Sequence, residues 1–397
     1  MRRIHQSDLV LNEPLPWPLY DEDGHLLLRE GYVLSIPRHI ETLLARGAYA
    51  PDPTPASPGS GAADATGTAG TAGMAGAAAL PPVPPPGAGA EPVFARAGTL
   101  ASTLKRLHAH LQAGSPQAVL PQVVQSLARG VIDACAQDPD ALLAALHLDR
   151  QHPYLVVQQL LGAALTEIAA VELLLDAPTR LSLACAALTR DVALLPLQAQ
   201  LDRQAGALTR EQAAQVRGHP VHSAEQLAAM GVTDALWLEL VCQHHERCDG
   251  SGYPRGLRGD AILPGARLLA VADSYAAMVT PRANRAGQFP RDALKALFLE
   301  RSRLYEDSLV KLSIKTLTMH PPGTLARLAN GELAVVRSRQ KHDAPVDLWS
   351  LYDSSGMPVM RPQRCDAADP AHGIVGALRV EECRSAALVL KRLWMHR

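Results

Sequence analysis

Residues 51–94 contain ten of the chain's 31 prolines, consist otherwise largely of glycine and alanine, and carry no lysine or arginine. A stretch of this composition cannot bury enough apolar surface to offset the entropy of ordering it. No single core can run through it, so the chain must fold as separate parts on either side. We read 51–97 as a disordered linker. Its r.m.s. reach, about 35–40 Å for a flexible chain of this length, permits the short N-terminal part to return to the remainder.

Before the linker, "WPLYDEDGHLLLREGYVL" places a DEDG turn between two apolar runs, and "SIPRHIETLLARG" reads as a helix with Pro37 near its start and Gly47 past its end. Residues 1–50 are therefore expected to form a small β-plus-helix module. From 98 to 320 apolar residues recur at three- and four-residue spacing, with a Thr209–Gln212 capping box, which predicts an all-helical domain. After Pro321 the pattern changes. Asn330-Gly331 in "TLARLANGELAVVRS" is a strong hairpin signal, and "VDLWSLY" and "MPVMR" flank a second turn at Ser354-Ser355-Gly356. Residues 321–397 are expected to be a small β-module. The fold class is mainly α, a helical domain between two small β-containing modules.

Lysine and arginine number 38 against 39 acidic residues, so no overall field favours a nucleic acid polymer. No uninterrupted apolar stretch reaches the roughly 20 residues that span a bilayer, and the N-terminus has no apolar run behind its arginines, so neither membrane insertion nor export is expected. Six cysteines form no CxxC pair, which fits a reduced, cytoplasmic setting.

Chemistry concentrates in the helical part. In "ALWLELVCQHHERCDG", His244 follows Leu236 and Leu240 at four-residue steps, and His245 follows Trp237 and Val241. Both imidazoles therefore project from or beside a buried face. In "RGHPVHSAEQL", Pro220 is expected to break one helix and start the next, leaving His219 at the joint. Asp273 in "ARLLAVADSYAAM" lies four residues after Leu269, and Arg190-Asp191 interrupts the apolar run "LSLACAALTRDVALL". Asp191, His219, His244, His245 and Asp273 are the nitrogen and oxygen ligands expected for a transition metal on facing helices. The turn "DGSGYP" needs Gly250 and Gly252 for tight backbone, and Tyr253 offers an aromatic face beside Arg255, Arg258, Arg282 and Arg285.

The order and spacing of these elements resemble the HD-GYP family, all-helical metal phosphodiesterases that open cyclic di-GMP. The resemblance runs from about 150 to 320 and is most specific in "HHERCDGSGYPRGLRGDAILPGARLLAVADSYAAM". His219-Pro220 falls 29 residues after the position of the family's HD pair. The resemblance implies that Gly252, Tyr253, Pro254, Arg282 and Arg285 lie near substrate. It also implies one metal held by an upstream ligand, the HD histidine and Asp273, a second held by His219, His244 and His245, and a catalytic Asp191 bridging both.

Three positions depart from the family pattern: Arg190 replaces the HD histidine, Gln158 stands where the upstream ligand belongs, and Leu194 replaces a lysine. His152, six residues before Gln158, is a bystander. Arginine cannot give up its proton, so Arg190 cannot ligate a metal. Its charge repels a divalent ion about 4 Å away by roughly 8 kcal/mol at an effective dielectric of 20. We therefore expect the guanidinium to take the missing metal's electrostatic place, paired with Asp191 or Asp273.

Three functions remain open on the sequence. The first is a domain with an impaired hydrolytic centre that recognises cyclic di-GMP or a diguanylate-cyclase-type protein partner. The second is an active metal phosphodiesterase, and the third is a structural scaffold. The corresponding cofactor is one divalent transition metal, iron or manganese, or none.

Overall fold

The computed structural model describes residues 1–51, 91–113, 120–340, 345–383 and 386–395, apart from scattered positions between 11 and 46, Ala205 and Ala367. The DEDG turn, most of the helix drawn over 35–47 and nearly all of the linker lie outside the described residues. The first long helix starts at Val93, inside the stretch that composition assigns to the linker.

The helical domain comprises α1 (Val93–Gln112), α2 (Leu120–Gln137), α3 (Pro139–Leu148), α4 (Tyr154–Glu172), α5 (Ala177–Thr189), α6 (Leu195–Leu201), α7 (Arg210–Ala229), α8 (Ala235–Gln243), α9 (Pro264–Val279), α10 (Pro290–Leu299) and α11 (Asp307–Leu317). Aspartates start α3, α5 and α8: Asp138, Asp176 and Asp234 each accept from the third residue on. The Thr209–Gln212 capping box starts α7. Helix α4 is buried without a break from Leu155 to Ala170, and α2, α3, α5 and α9 pack around it. An apolar helix wrapped on all sides has no amphipathic stripe to show, which is why its polar members Gln158 and Gln159 stand out. Among the described residues two segments are long and apolar enough to cross a bilayer, Tyr154–Glu172 and Ala177–Gln198; they are these core helices and their extension, and their most apolar 18-residue stretches are 94% and 72% buried.

Two antiparallel sheets flank the bundle. Strands β1 (Arg2–Arg3), β2 (Leu19–Tyr20), β3 (Leu26–Leu28) and β4 (Tyr49–Ala50) lie in the order β1-β4-β2-β3. Strands β5 (Leu325–Leu328), β6 (Leu333–Ser338), β7 (Asp347–Tyr352), β8 (Pro358–Arg364) and β9 (Ile374–Leu378) lie in the order β8-β7-β6-β5-β9, and α12 (Ala386–Met395) follows. Gly331 and Gly356 take positive φ in the β5–β6 and β7–β8 turns. Met357, beside the second turn, packs into the N-terminal core with Ile4, Leu19 and Leu43, which joins the two modules.

Two histidines are held neutral in the bundle. Burial pushes His108 down to about 4 and does the same to His147, whose Nδ1–H donates to the Pro322 carbonyl at 3.1 Å and whose Nε2 accepts from the Tyr275 hydroxyl at 3.1 Å. Both folded values lie below the ordinary value near 6.5, so the unfolded chain binds more protons between about pH 6.5 and 4 and stability falls as pH drops through that window. At pH 5 each should cost on the order of 2 kcal/mol. Urea unfolding of the metal-free protein should therefore show a clearly lower midpoint at pH 5 than at pH 7; equal midpoints would rule this out.

Candidate metal centre and nucleotide cleft

Helix α5 ends at Thr189, Arg190 caps it, and Asp191 opens a 3-10 turn at Val192–Leu194. The break carries the Arg190 side chain inward until it is fully buried. Its Nε donates to Asp273 Oδ1 at 3.0 Å and lies 3.4 Å from Asp191 Oδ2, and its Nη1 donates to the Ala187 carbonyl. Nη2 approaches Asp273 Oδ1 to 2.8 Å, an ion-pair distance without hydrogen-bond alignment. Gly162 on α4 makes the room, since a Cβ there would sit 3.3 Å from Nη2. Burial opposes the charge on Arg190, but Asp273 and Asp191 raise its affinity for the proton above the ordinary arginine value. Gln158, also buried, donates through Nε2 to the same Asp273 Oδ1. The guanidinium thus pairs with both aspartates, where the sequence offered a choice between them.

On the other side of Asp191 stand the histidines. Helix α7 runs unbroken through Pro220, contrary to the expected joint. The proline removes the N–H that Val216 O would receive, and His219 Nδ1–H takes that carbonyl at 2.6 Å. His244, just past the end of α8, likewise donates through Nδ1 to Val241 O at 2.7 Å. These bonds fix both Nε2 atoms as lone-pair bearers, yet the two are 3.2 Å apart, and Asp191 Oδ1 lies 3.3 Å from the first and 4.0 Å from the second. Three acceptors converge with no donor between them. With His245 they form a group whose ligand atoms all lie within 4.8 Å.

This donor set fits one divalent transition metal: three imidazoles and a carboxylate, two of the rings aimed by backbone carbonyls. Burial, then His219, pushes His244 down to about 4; burial, then His244 and His219, holds His245 well below its ordinary value. Both rings are therefore neutral ligands at pH 7. Burial alone would raise the Asp191 carboxyl, but Arg190, His219 and His244 hold it well below the carboxylate range. The neighbouring position does not fit a cation. Gln158 and Arg190 supply N–H donors to Asp273, which lies outside the histidine group and has an arginine where a ligand would be needed.

The centre opens into a cleft of about 430 Å³ lined by Tyr154, Leu194, His245, Tyr253, Asp273 and Arg282, among others. The Tyr253 ring packs on His245, with centroids 4.7 Å apart. Arg282 is exposed at the rim, where it donates to the Tyr154 hydroxyl at 2.8 Å with its guanidinium over that ring. Arg285 does not line the cleft; it donates to Ala277 O at 2.6 Å. Gly252 and Pro254 do not line it either. A Cβ on Gly252 would come within 2.4 Å of Arg247 N, so this glycine serves the tight path of the loop. Gly250, with φ +78, supplies the left-handed backbone expected of it. His152 pairs with Asp149 away from the cleft.

Two residues of the site, Gln159 and Glu246, were not singled out from the sequence. Gln159, fully buried, donates to Asp191 Oδ2 at 3.3 Å and accepts from His108 Nε2 at 3.0 Å. Its signal was a glutamine pair inside an apolar helix. Glu246 accepts from the backbone N–H of Arg255 at 2.7 Å and of Leu257 at 2.9 Å, clamping the loop that carries Tyr253.

A family model for the HD domain matches residues 142–309. The chain is 28% identical over 226 residues to the cyclic di-GMP phosphodiesterase PA4108 of Pseudomonas aeruginosa, a match covering 57% of this chain and 54% of that protein. It is 29% identical over 153 residues to the 3'3'-cGAMP-specific phosphodiesterase 3 of Vibrio cholerae, covering 38% and 33%. A solved structure, the HDG"Y"P protein Bd1817 from Bdellovibrio bacteriovorus, superposes with a TM-score of 0.47 at 15% identity over 78% of this chain and 97% of that one. The chain spans about half the length of the first of these relatives and a third of the second.

Proposed function

Because the chain belongs to the HD-GYP family through its HD domain, we propose that it works in cyclic di-GMP signalling as a nucleotide-binding module whose hydrolytic centre is reduced to a single cation subsite. The observation that carries this reading is the buried guanidinium of Arg190 against Asp273 and Asp191. Asp191, His219, His244 and His245 would hold the one remaining ion, which supplies positive charge and Lewis acidity toward a phosphate oxygen. The residues around it bind. Tyr253 gives a ring for a guanine base at the wall of the cleft, and Arg282 gives a fork for a phosphate at its rim. Leu194 presents no charge to the phosphate. With a cation in place of the second metal, no pair of ions remains to share and activate a water.

A second reading, a slow hydrolase using one metal, is favoured by the intact group of three histidines and Asp191. Calorimetry with cyclic di-GMP on the manganese-loaded protein, followed by chromatography of the recovered nucleotide, separates the two. Binding with the nucleotide recovered intact is expected, and Arg282→Ala should weaken it by about tenfold or more, the value of a charge-assisted hydrogen bond. Linear product would favour the hydrolase. No heat of binding to folded protein would leave the scaffold reading.

A further inference from the structure

The C-terminal sheet brings together three metal-ligating side chains that the cleft does not use. Glu332 follows Gly331 in the β5–β6 turn, Cys365 stands one residue past β8, and His372 ends the 3-10 turn Pro370–His372 that leads into β9. Strands β8 and β9 are opposite edges of the sheet, so the segment between them must cross its end. It does so against the β5–β6 turn: Ala329 N–H donates to Gly373 O and Asn330 N–H to Ala371 O, both at 2.9 Å. This crossing places one carboxylate oxygen, one thiol sulfur and one imidazole nitrogen within 4.8 Å of one another.

Two further features aim the group at a cation. His372 Nδ1–H donates to the Asp366 carbonyl at 2.8 Å, which fixes the tautomer and leaves the Nε2 lone pair free, the arrangement found in metal-bound histidines. Glu332 is half-buried, and no donor among the described residues is hydrogen-bonded to its carboxylate, which leaves its oxygens available beside the buried Cys365.

We propose that Glu332, Cys365 and His372 bind one zinc ion, with a solvent molecule as fourth ligand, and that the ion staples the β8–β9 crossing to the β5–β6 turn. The mixed sulfur, nitrogen and oxygen set suits zinc and excludes magnesium and calcium. Ligand atoms around tetrahedral zinc lie about 3.3–3.8 Å apart for bond lengths of about 2.0–2.3 Å, so atoms already within 4.8 Å of one another need draw in by no more than about 1.5 Å. On binding, the thiol gives up its proton to solvent and the sulfur lone pair goes to the metal. The outer half of this sheet has a small core, built of Leu328, Ala334, Val336, Leu348 and Cys365, and such modules gain most from a staple.

Cobalt tests the site without interference from the helical centre, which contains no sulfur ligand. Metal-stripped, reduced full-length protein titrated with Co²⁺ should develop a sulfur-to-cobalt charge-transfer band that saturates at one equivalent and is displaced by Zn²⁺. The band should persist in His244→Ala, vanish in Cys365→Ser, and require at least about tenfold more cobalt in His372→Ala and Glu332→Gln, with circular dichroism unchanged in the last two. No band from folded protein would overturn the proposal. So would a band retained in Cys365→Ser or left at full affinity in His372→Ala.

Discussion

Changing Gln158→His, Arg190→His and Leu194→Lys together should, on the function proposed above, raise the metal content of the helical domain from one ion to two and raise its hydrolysis of cyclic di-GMP. The three positions border one space: Gln158 and Arg190 both meet Asp273 Oδ1, and Leu194 lines the cleft beside Asp191. Removing the guanidinium takes away roughly 8 kcal/mol of repulsion toward a divalent ion, and the new imidazoles, with Asp273 and Asp191, complete a donor set. A second ion that neutralises charge on a phosphoryl group contributes several kcal/mol to the transition state. Each 1.4 kcal/mol is tenfold, so cleavage of cyclic di-GMP should rise at least about 100-fold. Metal should be counted in a Cys365→Ser background, so that the C-terminal module adds nothing. A folded triple variant that binds no more metal than its parent would show that these residues do not border a subsite.

Arg190→Ala should be among the most destabilising single substitutions in the helical domain. It leaves Asp273 and Asp191, each 6% exposed, without the cation between them. Removing one partner of a buried ion pair costs about 3–5 kcal/mol, and for a domain of this size that lowers Tm by roughly 10 °C. Lost packing would contribute too, and Arg190→Met separates the two effects by keeping most of the volume. Arg190→Met combined with Asp273→Asn should recover more than half of the loss, because it removes a bare carboxylate as well as the cation. Thermal unfolding of metal-free protein decides it, and a variant as stable as the parent would deprive the guanidinium of its electrostatic role.

Much of the centre was legible before any coordinates. Helical spacing put His244, His245 and Asp273 on inward faces, and the chemistry of arginine alone required Arg190 to find a carboxylate. What the sequence could not show were contacts whose partners are set by the path of the chain. Pro220 looks like a helix breaker on propensity; in place, its missing N–H frees the carbonyl that orients His219, so the helix continues. Gly252 serves the tight backbone that its place in the turn requires, whereas the nearness to substrate that the resemblance implied is not met, because its bare Cα faces the backbone of 245–247. The links from Gln159 to Asp191 and from Glu332 to Cys365 and His372 join residues more than 30 positions apart, brought together by helix packing in one case and by strand order in the other. Local periodicity carries no information about either.

The central claim is that a guanidinium fills the position of a second ion. Anomalous diffraction from crystals soaked in Mn²⁺ reads this directly. The helical domain should show one manganese peak, enclosed by Asp191, His219, His244 and His245, with Arg190 still seated on Asp273. Two peaks about 3.5–4 Å apart bridged by Asp191, with the Arg190 side chain swung away, would contradict the account.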